Sequence, residues 1–268
     1  MGVRQKGQAW LSVLWLLMVV TCAACGAGTT QRQQQENTGT DGAPMMLVPR
    51  GEFTMGSNAS FAHEQPSHLI TLDAFYMDKY EVTVGQYAKF LEAMSLGAPP
   101  DWMVMNQPSH QNRPVVNMSW SDANRYCRWA GKRLPTEAEW EKAARGTDER
   151  MYPWGNVRLD RLRANHGKET WENHASLATV GSLEAGQSPY GIHDLAGNAW
   201  EWVSDWYDKD YYEKSPLQNP NGPEQGAAKV LRGGSWYSNP GYLRSTYRFS
   251  LPPSSRDSDF GFRCAKSP

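Results

Sequence analysis

The pattern of hydrophobic and polar positions predicts short strands at both ends of the folded region. Residues 51–56 alternate in the two-residue period of a half-buried strand, and residues 68–72 and 74–77 predict a second strand region. Near the C-terminus, residues 229–236 predict a strand that runs into a Gly-Gly turn, and residues 260–265 predict a closing strand. All of these strands are expected to be short.

Three helices are predicted, each by a capping box at its N-terminus. In a capping box, a Ser or Thr side chain and a polar side chain three residues later satisfy each other's backbone N–H groups. The pairs are Thr83 with Gln86, Ser119 with Asp122, and Thr136 with Glu139. The first helix is expected to end near residue 93. The other two are expected to end near Gly131 and at Gly146, because glycine readily takes the left-handed conformation at a helix end. Residues 96–113 are expected to form a surface loop. Few short helices, short strands and long loops indicate an α+β fold with much irregular structure.

The first 25 residues have the pattern of an export signal. Basic residues precede an apolar stretch at residues 9–20, which is too short to cross a membrane comfortably. Residues 26–44 contain almost no apolar side chain, so they cannot bury enough surface to fold and are expected to form a flexible tether. The folded domain is expected to cover residues 45–268.

The end of this signal is similar to a bacterial lipobox, in which a cysteine after small residues is lipidated. Cys25 follows two alanines and fits this pattern better than Cys22, which follows a threonine. The other interpretation is ordinary signal cleavage near Ala24. Both interpretations predict export. Lipidation of Cys25 also predicts a protein anchored to the membrane of the bacterial cell envelope, on its periplasmic or cell-surface side.

The overall charge balance argues against a nucleic-acid partner. The 268 residues contain 27 Lys and Arg against 28 Asp and Glu, so the net charge is −1 and no basic surface is indicated. Hydrophobic residues make up 40% of the chain, which is enough for one good-sized core or two small ones.

Residues 190–207 concentrate tryptophan rings and acidic side chains around a Gly-Asn pair. Asp194 and Glu201 are seven residues apart, with Gly197 and Ala199 between them. In a turning backbone, two carboxylates and the carbonyls of small residues can converge on a calcium ion. The spacing is also open to a tight turn between aromatic strands, in which the acids contact water or pair with arginine.

The two remaining cysteines can form a disulfide. If the signal is removed at Cys25, only Cys127 and Cys264 are left. Export places them in an oxidising compartment, where a disulfide can persist and would join the second predicted helix to the closing strand. The alternative is two separate buried thiols.

Seven segments occur in an order that identifies a family. They read VPRGEFTMG (48–56), YEVT (80–83), PVVN (114–117), WAGKRLPTEAEWE (129–141), AGNAWEW (196–202), LRGGSW (231–236) and GFRCA (261–265). Together they resemble the formylglycine-generating enzyme family, also called sulfatase-modifying factors. The resemblance covers essentially all of residues 45–268 and implies a loop-rich variant of the C-type-lectin fold.

The resemblance implies structural metal ions and a disulfide. The family residues that bind one calcium ion match Asp194, Gly197, Ala199 and Glu201. A second family calcium site would fall on Asn165, His166, Glu172 and His174, although this match crosses a gapped loop and has Glu where the family has Asp. Both ions would stabilise the fold and do no chemistry. The family disulfide matches Cys127 and Cys264.

The residues after Ser235 bear on catalysis. Oxidising family members carry two cysteines there, which hold copper as a thiolate pair and convert a substrate cysteine into formylglycine with oxygen. In this chain the first position is Ser238, and the second falls on or near Leu243. Soft thiolates suit cuprous ion, and a hydroxyl group does not replace them. Neither copper nor the copper-dependent oxidation is therefore expected.

Two functions remain open. The first is an accessory lipoprotein that uses the corresponding cleft to bind a protein, a peptide or a small ligand. The residues expected to line this cleft are Trp236, Tyr237, Ser238, Asn239, Tyr242, Arg244 and Arg248. The second is an extracytoplasmic enzyme that modifies a protein or amine substrate by related chemistry.

Overall fold

A computed structural model describes residues 1–2 and 38–268. The predicted export signal, both N-terminal cysteines Cys22 and Cys25, and the first part of the predicted tether lie outside the described residues. In the part of the chain that the structure describes, no helix has the length and apolar composition needed to cross a bilayer.

Nine short strands and four α-helices form the regular structure of residues 38–268. The strands are β1 (Met45–Val48), β2 (Gly51–Met55), β3 (His68–Leu72), β4 (Phe75–Asp78), β5 (Trp200–Trp206), β6 (Lys229–Arg232), β7 (Phe249–Leu251), β8 (Phe260–Gly261) and β9 (Ala265–Lys266). The α-helices are α1 (Val84–Met94), α2 (Trp102–Met105), α3 (Trp120–Trp129) and α4 (Glu137–Arg145). The 3-10 helices are Ala62–Glu64, Pro108–His110, Glu184–Gly186, Tyr211–Glu213 and Pro240–Leu243. The predicted α+β class is confirmed.

The described strands form three small sheets, with the orders β1-β4-β9, β2-β3 and β7-β6-β5-β8. The pairing is antiparallel except between β5 and β8, which run parallel. Met77 of β4 lies opposite Ala265 of β9, and Glu201 of β5 lies opposite Gly261 of β8. The C-terminal segment therefore adds an edge strand to each of two sheets and pairs there with β4 and β5, which lie much earlier in the chain.

The three predicted helices form with the predicted caps. Thr83, Ser119 and Thr136 each accept a hydrogen bond from the backbone N–H three residues later, and the reciprocal bond completes each capping box.

Two other predictions need correction. Helix α2 lies inside the segment predicted as a loop, and the single closing strand is divided into β8 and β9. The division arises because the carbonyls of Phe262 and Cys264 accept hydrogen bonds from the N–H groups of residues 82 and 78.

Two hydrophobic clusters make up most of the described core. One packs α1 and α3 against Trp202 and Phe262, and it contains both buried cysteines. The other packs the first four strands against Trp140 of α4. The disulfide predicted between Cys127 and Cys264 is confirmed, and its two cysteines are 137 residues apart in the sequence.

The domain begins to pack before residue 45, where the sequence predicts its start. Asp41 and Ala43 are buried. The ammonium group of Lys132 lies 2.8 Å from the Asp41 carboxylate and 2.7 Å from that of Asp78. The tether prediction is therefore wrong for residues 38–44, because composition cannot reveal a buried ion pair with a lysine 91 residues away.

Candidate functional site

The connection between β6 and β7 forms one wall of a cavity of about 470 Å³. It begins with Gly233 and Gly234, whose φ angles of 95° and 75° are unfavourable for a residue with a side chain. A Cβ atom on Gly234 would also lie 3.2 Å from the side chain of Leu243. This tight double-glycine turn leads directly into the segment that lines the cavity.

Aromatic rings from β5 and from residues 237–249 meet at the cavity. The ring of Trp200 lies 5.1 Å from that of Phe249 and 6.0 Å from that of Tyr247, measured between centroids. Tyr242 packs 4.9 Å from Tyr247. The lining consists of Gly167, Lys168, Glu169, Trp200, Tyr237, Ser238, Asn239, Tyr242, Tyr247, Phe249 and Asp259. An aromatic cavity with a few polar groups is typical of a ligand site.

Four of the seven residues predicted to line the cleft do line this cavity. They are Tyr237, Ser238, Asn239 and Tyr242. Tyr237 and Tyr242 are 61% and 39% exposed, so both rings are accessible to a ligand. Trp236 and Arg244 are not part of the lining. Trp236 is buried, and the guanidinium of Arg244 pairs with the carboxylate of Glu64.

The prediction that Arg248 lines the cleft is wrong. Its guanidinium is buried and donates hydrogen bonds of 2.7 and 2.9 Å to the two carboxylate oxygens of Glu137 in α4. It also lies 4.1 Å from the centroid of the Tyr212 ring. A buried charge needs a partner, and this partner lies 111 residues earlier in the chain. Proximity in sequence to the cleft segment is therefore misleading here.

Ser238 and Asp259 form the polar end of the cavity, and Ser235 is hydrogen-bonded to both from behind the lining. The hydroxyl of Ser235 donates a 2.7 Å hydrogen bond to Asp259, and its backbone N–H donates a 2.9 Å hydrogen bond to the Ser238 hydroxyl oxygen. Ser235 is fully buried and Ser238 almost so. Burial raises the pKa of Asp259 to about 6, and the neighbouring charge of Asp257 adds to this effect.

Sequence reasoning missed Asp259, Trp200, Tyr247 and Phe249 as cavity residues. The backbone N–H of Trp200 donates a 2.8 Å hydrogen bond to the carbonyl of Asp259, next to the parallel pairing of β5 with β8. This pairing brings together residues that are far apart in sequence, and no local pattern marks it. The AGNAWEW segment contains two tryptophans, and its sequence does not indicate that the ring of Trp200 rather than that of Trp202 lines the cavity.

The two positions that the resemblance assigns to copper-binding cysteines do not fit a copper ion. Ser238 offers a hydroxyl that is already hydrogen-bonded to Ser235. Leu243 is fully buried in a small apolar cluster with Tyr152 and Ala164. Within residues 38–268 both cysteines are joined in the disulfide, so this part of the chain has no thiolate to offer.

The residues of the first predicted calcium site lie in a buried, negatively charged cluster. Glu201 accepts two hydrogen bonds from Arg263, of 2.6 and 2.7 Å, and the side chains of Asp194 and Glu81 are buried beside them. Burial and the charge of Glu201 raise the pKa of Asp194 to about 6. Burial and the charges of Asp194 and Glu201 raise the pKa of Glu81 well above its usual range.

This cluster has fewer positive than negative charges. Three carboxyl groups share one guanidinium, and a divalent cation would stabilise their ionised forms. A Cβ atom on Gly197 would lie 2.4 Å from the carbonyl oxygen of Asn165, so only glycine fits that turn. Among the described residues no three His, Cys, Asp or Glu side chains form a metal-binding group. A calcium ion held by Asp194, Glu201 and the carbonyls of Gly197 and Ala199 needs only two such side chains.

The second set implied by the resemblance does not fit a divalent cation. It comprises Asn165, His166, Glu172 and His174. The guanidinium of Arg113 donates a hydrogen bond to the carbonyl of His174, and the ammonium of Lys168 donates one to the carbonyl of Ser176. The side chain of Glu172 is exposed. Burial, with the charges of His110 and Arg113, lowers the pKa of His174 to about 4. Arg113 thus occupies a carbonyl oxygen of this set, and the charge of Lys168 acts on Glu172 from nearby.

Comparison with known proteins agrees with the resemblance seen in the sequence. A family model described as sulfatase-modifying factor enzyme 1-like domain matches residues 30–268. The formylglycine-generating enzyme of Streptomyces coelicolor is 36% identical, over 81% of this chain and 87% of its own length. The serine/threonine-protein kinase pkn1 of Chlamydia pneumoniae is 37% identical over 83% of this chain, but the match spans only 38% of the kinase.

The fold has counterparts among solved structures. The structure of PvdO from Pseudomonas aeruginosa superposes with a TM-score of 0.72 and 25% identity, over 85% of this chain and 96% of PvdO. The loop-rich C-type-lectin-like architecture expected from the sequence is therefore confirmed.

Proposed function

This chain belongs to the sulfatase-modifying factor family, and we propose that it is a non-oxidising member that binds a ligand in the cavity beside Ser238. The ligand would be a segment of a protein, a peptide or a small molecule. The observation that carries the proposal is the replacement of the copper-binding pair by a hydrogen-bonded serine and the buried Leu243. The cavity has a volume typical of ligand sites, and its rings and polar groups remain suited to recognition.

An activity assay tests this proposal. The full chain, purified in detergent, is incubated with copper, oxygen and a peptide carrying a sulfatase-type cysteine, and the peptide mass is then measured. We expect no formylglycine, because residues 38–268 offer no thiolate pair near Ser238 to hold cuprous ion. A formylglycine-generating enzyme from a relative serves as the positive control. Formation of formylglycine by this chain would refute the proposal.

The second candidate is an extracytoplasmic enzyme acting on a protein or amine substrate. One observation favours it, because Asp259 is a titratable group at the polar end of the cavity and its raised pKa suits a general base. The adjacent hydroxyl of Ser235 is fully buried and cannot reach a substrate. The cavity thus contains a base but no accessible nucleophile hydrogen-bonded to that base. We therefore favour ligand binding over catalysis.

We also propose that a calcium ion binds at Asp194 and Glu201 and stabilises the fold. An ion that binds only the folded state adds about 2.7 kcal/mol when its free concentration is a hundredfold above the dissociation constant. Chelator is therefore expected to lower the melting temperature of the full chain. In Asp194→Gly the difference between calcium and chelator should disappear, since glycine tolerates the φ of 60° there but has no carboxylate. Equal melting temperatures for the wild type in both buffers would eliminate this site.

We further propose that the chain is exported and anchored to the cell envelope through a lipid on Cys25. The support is the signal-like N-terminus, which ends in two alanines before this cysteine. Labelled palmitate is expected to be incorporated into the wild type in bacterial cells and not into Cys25→Ala. Labelling that persists in Cys25→Ala but disappears in Cys22→Ala would move the anchor to Cys22. Absence of labelling in the wild type would leave ordinary signal cleavage as the explanation.

A further inference from the structure

Asp259 is a partly buried carboxylate without a cationic partner in the described part of the chain. Its side-chain hydrogen bond comes from the neutral hydroxyl of Ser235, at 2.7 Å. No lysine or arginine of residues 38–268 forms an ion pair with it or contributes to the shift of its pKa. A buried carboxylate normally pairs with a positive group because its desolvation is costly. The cavity side of Asp259 is therefore a place where a ligand can supply that positive group.

The neighbouring cationic side chains have partners other than Asp259. Lys168 also lines the cavity, but its ammonium group donates a hydrogen bond to the carbonyl of Ser176. Arg244 pairs with the buried carboxylate of Glu64. Glu169 adds a second acidic side chain to the lining. The lining thus contains two acidic residues and one lysine, and this balance disfavours an anionic ligand.

The walls of the cavity are suited to a small organic cation. Trp200, Tyr242, Tyr247 and Phe249 form a chain of rings with centroids 4.9–6.0 Å apart, and Tyr237 adds an exposed ring. The negative faces of aromatic rings attract ammonium groups, and the attraction increases where water is excluded. A neutral apolar ligand would fill the same space but would leave Asp259 without a partner.

We propose that the ligand of this cavity carries an alkyl- or methylammonium group, which the rings surround and the Asp259 carboxylate neutralises. This assignment rests on the function proposed above, since it takes the cavity beside Ser238 to be the binding site. A free small molecule and a lysine side chain on a protein can both supply such a group.

Binding of choline and of its uncharged isostere 3,3-dimethyl-1-butanol tests the assignment. The full chain in detergent is titrated with each compound by calorimetry, with tryptophan fluorescence as a second readout because Trp200 lines the cavity. We expect choline to bind at least about tenfold more tightly than the isostere. In Asp259→Asn the affinity for choline should fall by at least about tenfold, and the affinity for the isostere should not change.

Asp205→Asn is the matched control. Asp205 is also a buried aspartate that accepts a hydrogen bond from a serine hydroxyl, at 2.8 Å from Ser204, but it is not part of the cavity lining. This variant should bind choline like the wild type, which separates a loss of the ligand site from the general cost of removing a buried carboxylate. Circular dichroism establishes that both variants are folded.

The other outcomes are informative about the source of the cation and about the proposal itself. A trimethyllysine peptide that binds more tightly than choline would indicate a protein ligand, and the reverse order would indicate a free small molecule. Equal binding of choline and the isostere, unaffected by Asp259→Asn, would overturn the cation assignment while leaving the cavity as a binding site. Absence of choline binding at millimolar concentrations would also overturn it, and the formylglycine assay would then judge the proposed function independently.

Discussion

Replacement of Cys127 and Cys264 by alanine is expected to lower the free energy of unfolding by about 5 kcal/mol, the largest effect of any change considered for this protein. In the chain-entropy model, a disulfide stabilises by restricting the unfolded chain, and the effect grows with the length of the loop that it closes. Here the two cysteines are 137 residues apart. Both lie fully buried where α1 and α3 pack against the end of the chain, so the bridge joins early and late parts of the core.

Urea denaturation of the single and double variants measures this contribution. Each single variant already breaks the bridge, so Cys127→Ala and Cys264→Ala should each lose nearly the whole amount, and the double variant should lose little more. Alanine is used rather than serine because a serine hydroxyl would be buried there without a hydrogen-bond partner. Single variants that lose less than about 1 kcal/mol would show that the bridge contributes little to stability.

Replacement of Arg263 by methionine is expected to cost about 3–5 kcal/mol, because it leaves a buried negative charge without its partner. The guanidinium is fully buried and donates two hydrogen bonds to Glu201 and others to the carbonyls of Asp78 and His193. It is also the positive charge that faces the nearby Glu81 carboxylate. Methionine fills much of the space but satisfies none of these acceptors.

This effect is measured by urea denaturation in chelator, so that bound calcium does not mask it. Arg263→Lys keeps the positive charge but loses the bidentate contact with Glu201, so an intermediate loss of unfolding free energy is expected. Arg50→Met is the control, since Arg50 and Asp73 form a pair 3.6 Å apart with side chains 69% and 59% exposed. Such exposed pairs contribute roughly 0–1 kcal/mol. An Arg263→Met variant as stable as Arg50→Met would contradict the expected role of the buried pair.

The errors of prediction have a common physical origin. Residues 38–44 look like a tether, yet Asp41 is held by Lys132, 91 residues away. Arg248 looks like a cleft residue, yet Glu137 holds it inside the core. Composition suggests exposure in the first case, and proximity in sequence to the cleft segment suggests it in the second. Burial became possible only because a distant segment supplied the opposite charge, and neither composition nor periodicity contains that information.

Features that depend on neighbouring residues or on a shared family pattern could be predicted from the sequence alone. The three capping boxes predict their helices because the interacting groups are three residues apart. The ordered motifs identify the family, and the residues at positions 238 and 243 already argue against copper chemistry. Which residues line the cavity could be learned only from the three-dimensional fold. Asp259 meets Trp200 through the pairing of β5 with β8, and the rings of residues 242–249 close over them, because contacts between distant segments depend on how the whole chain packs.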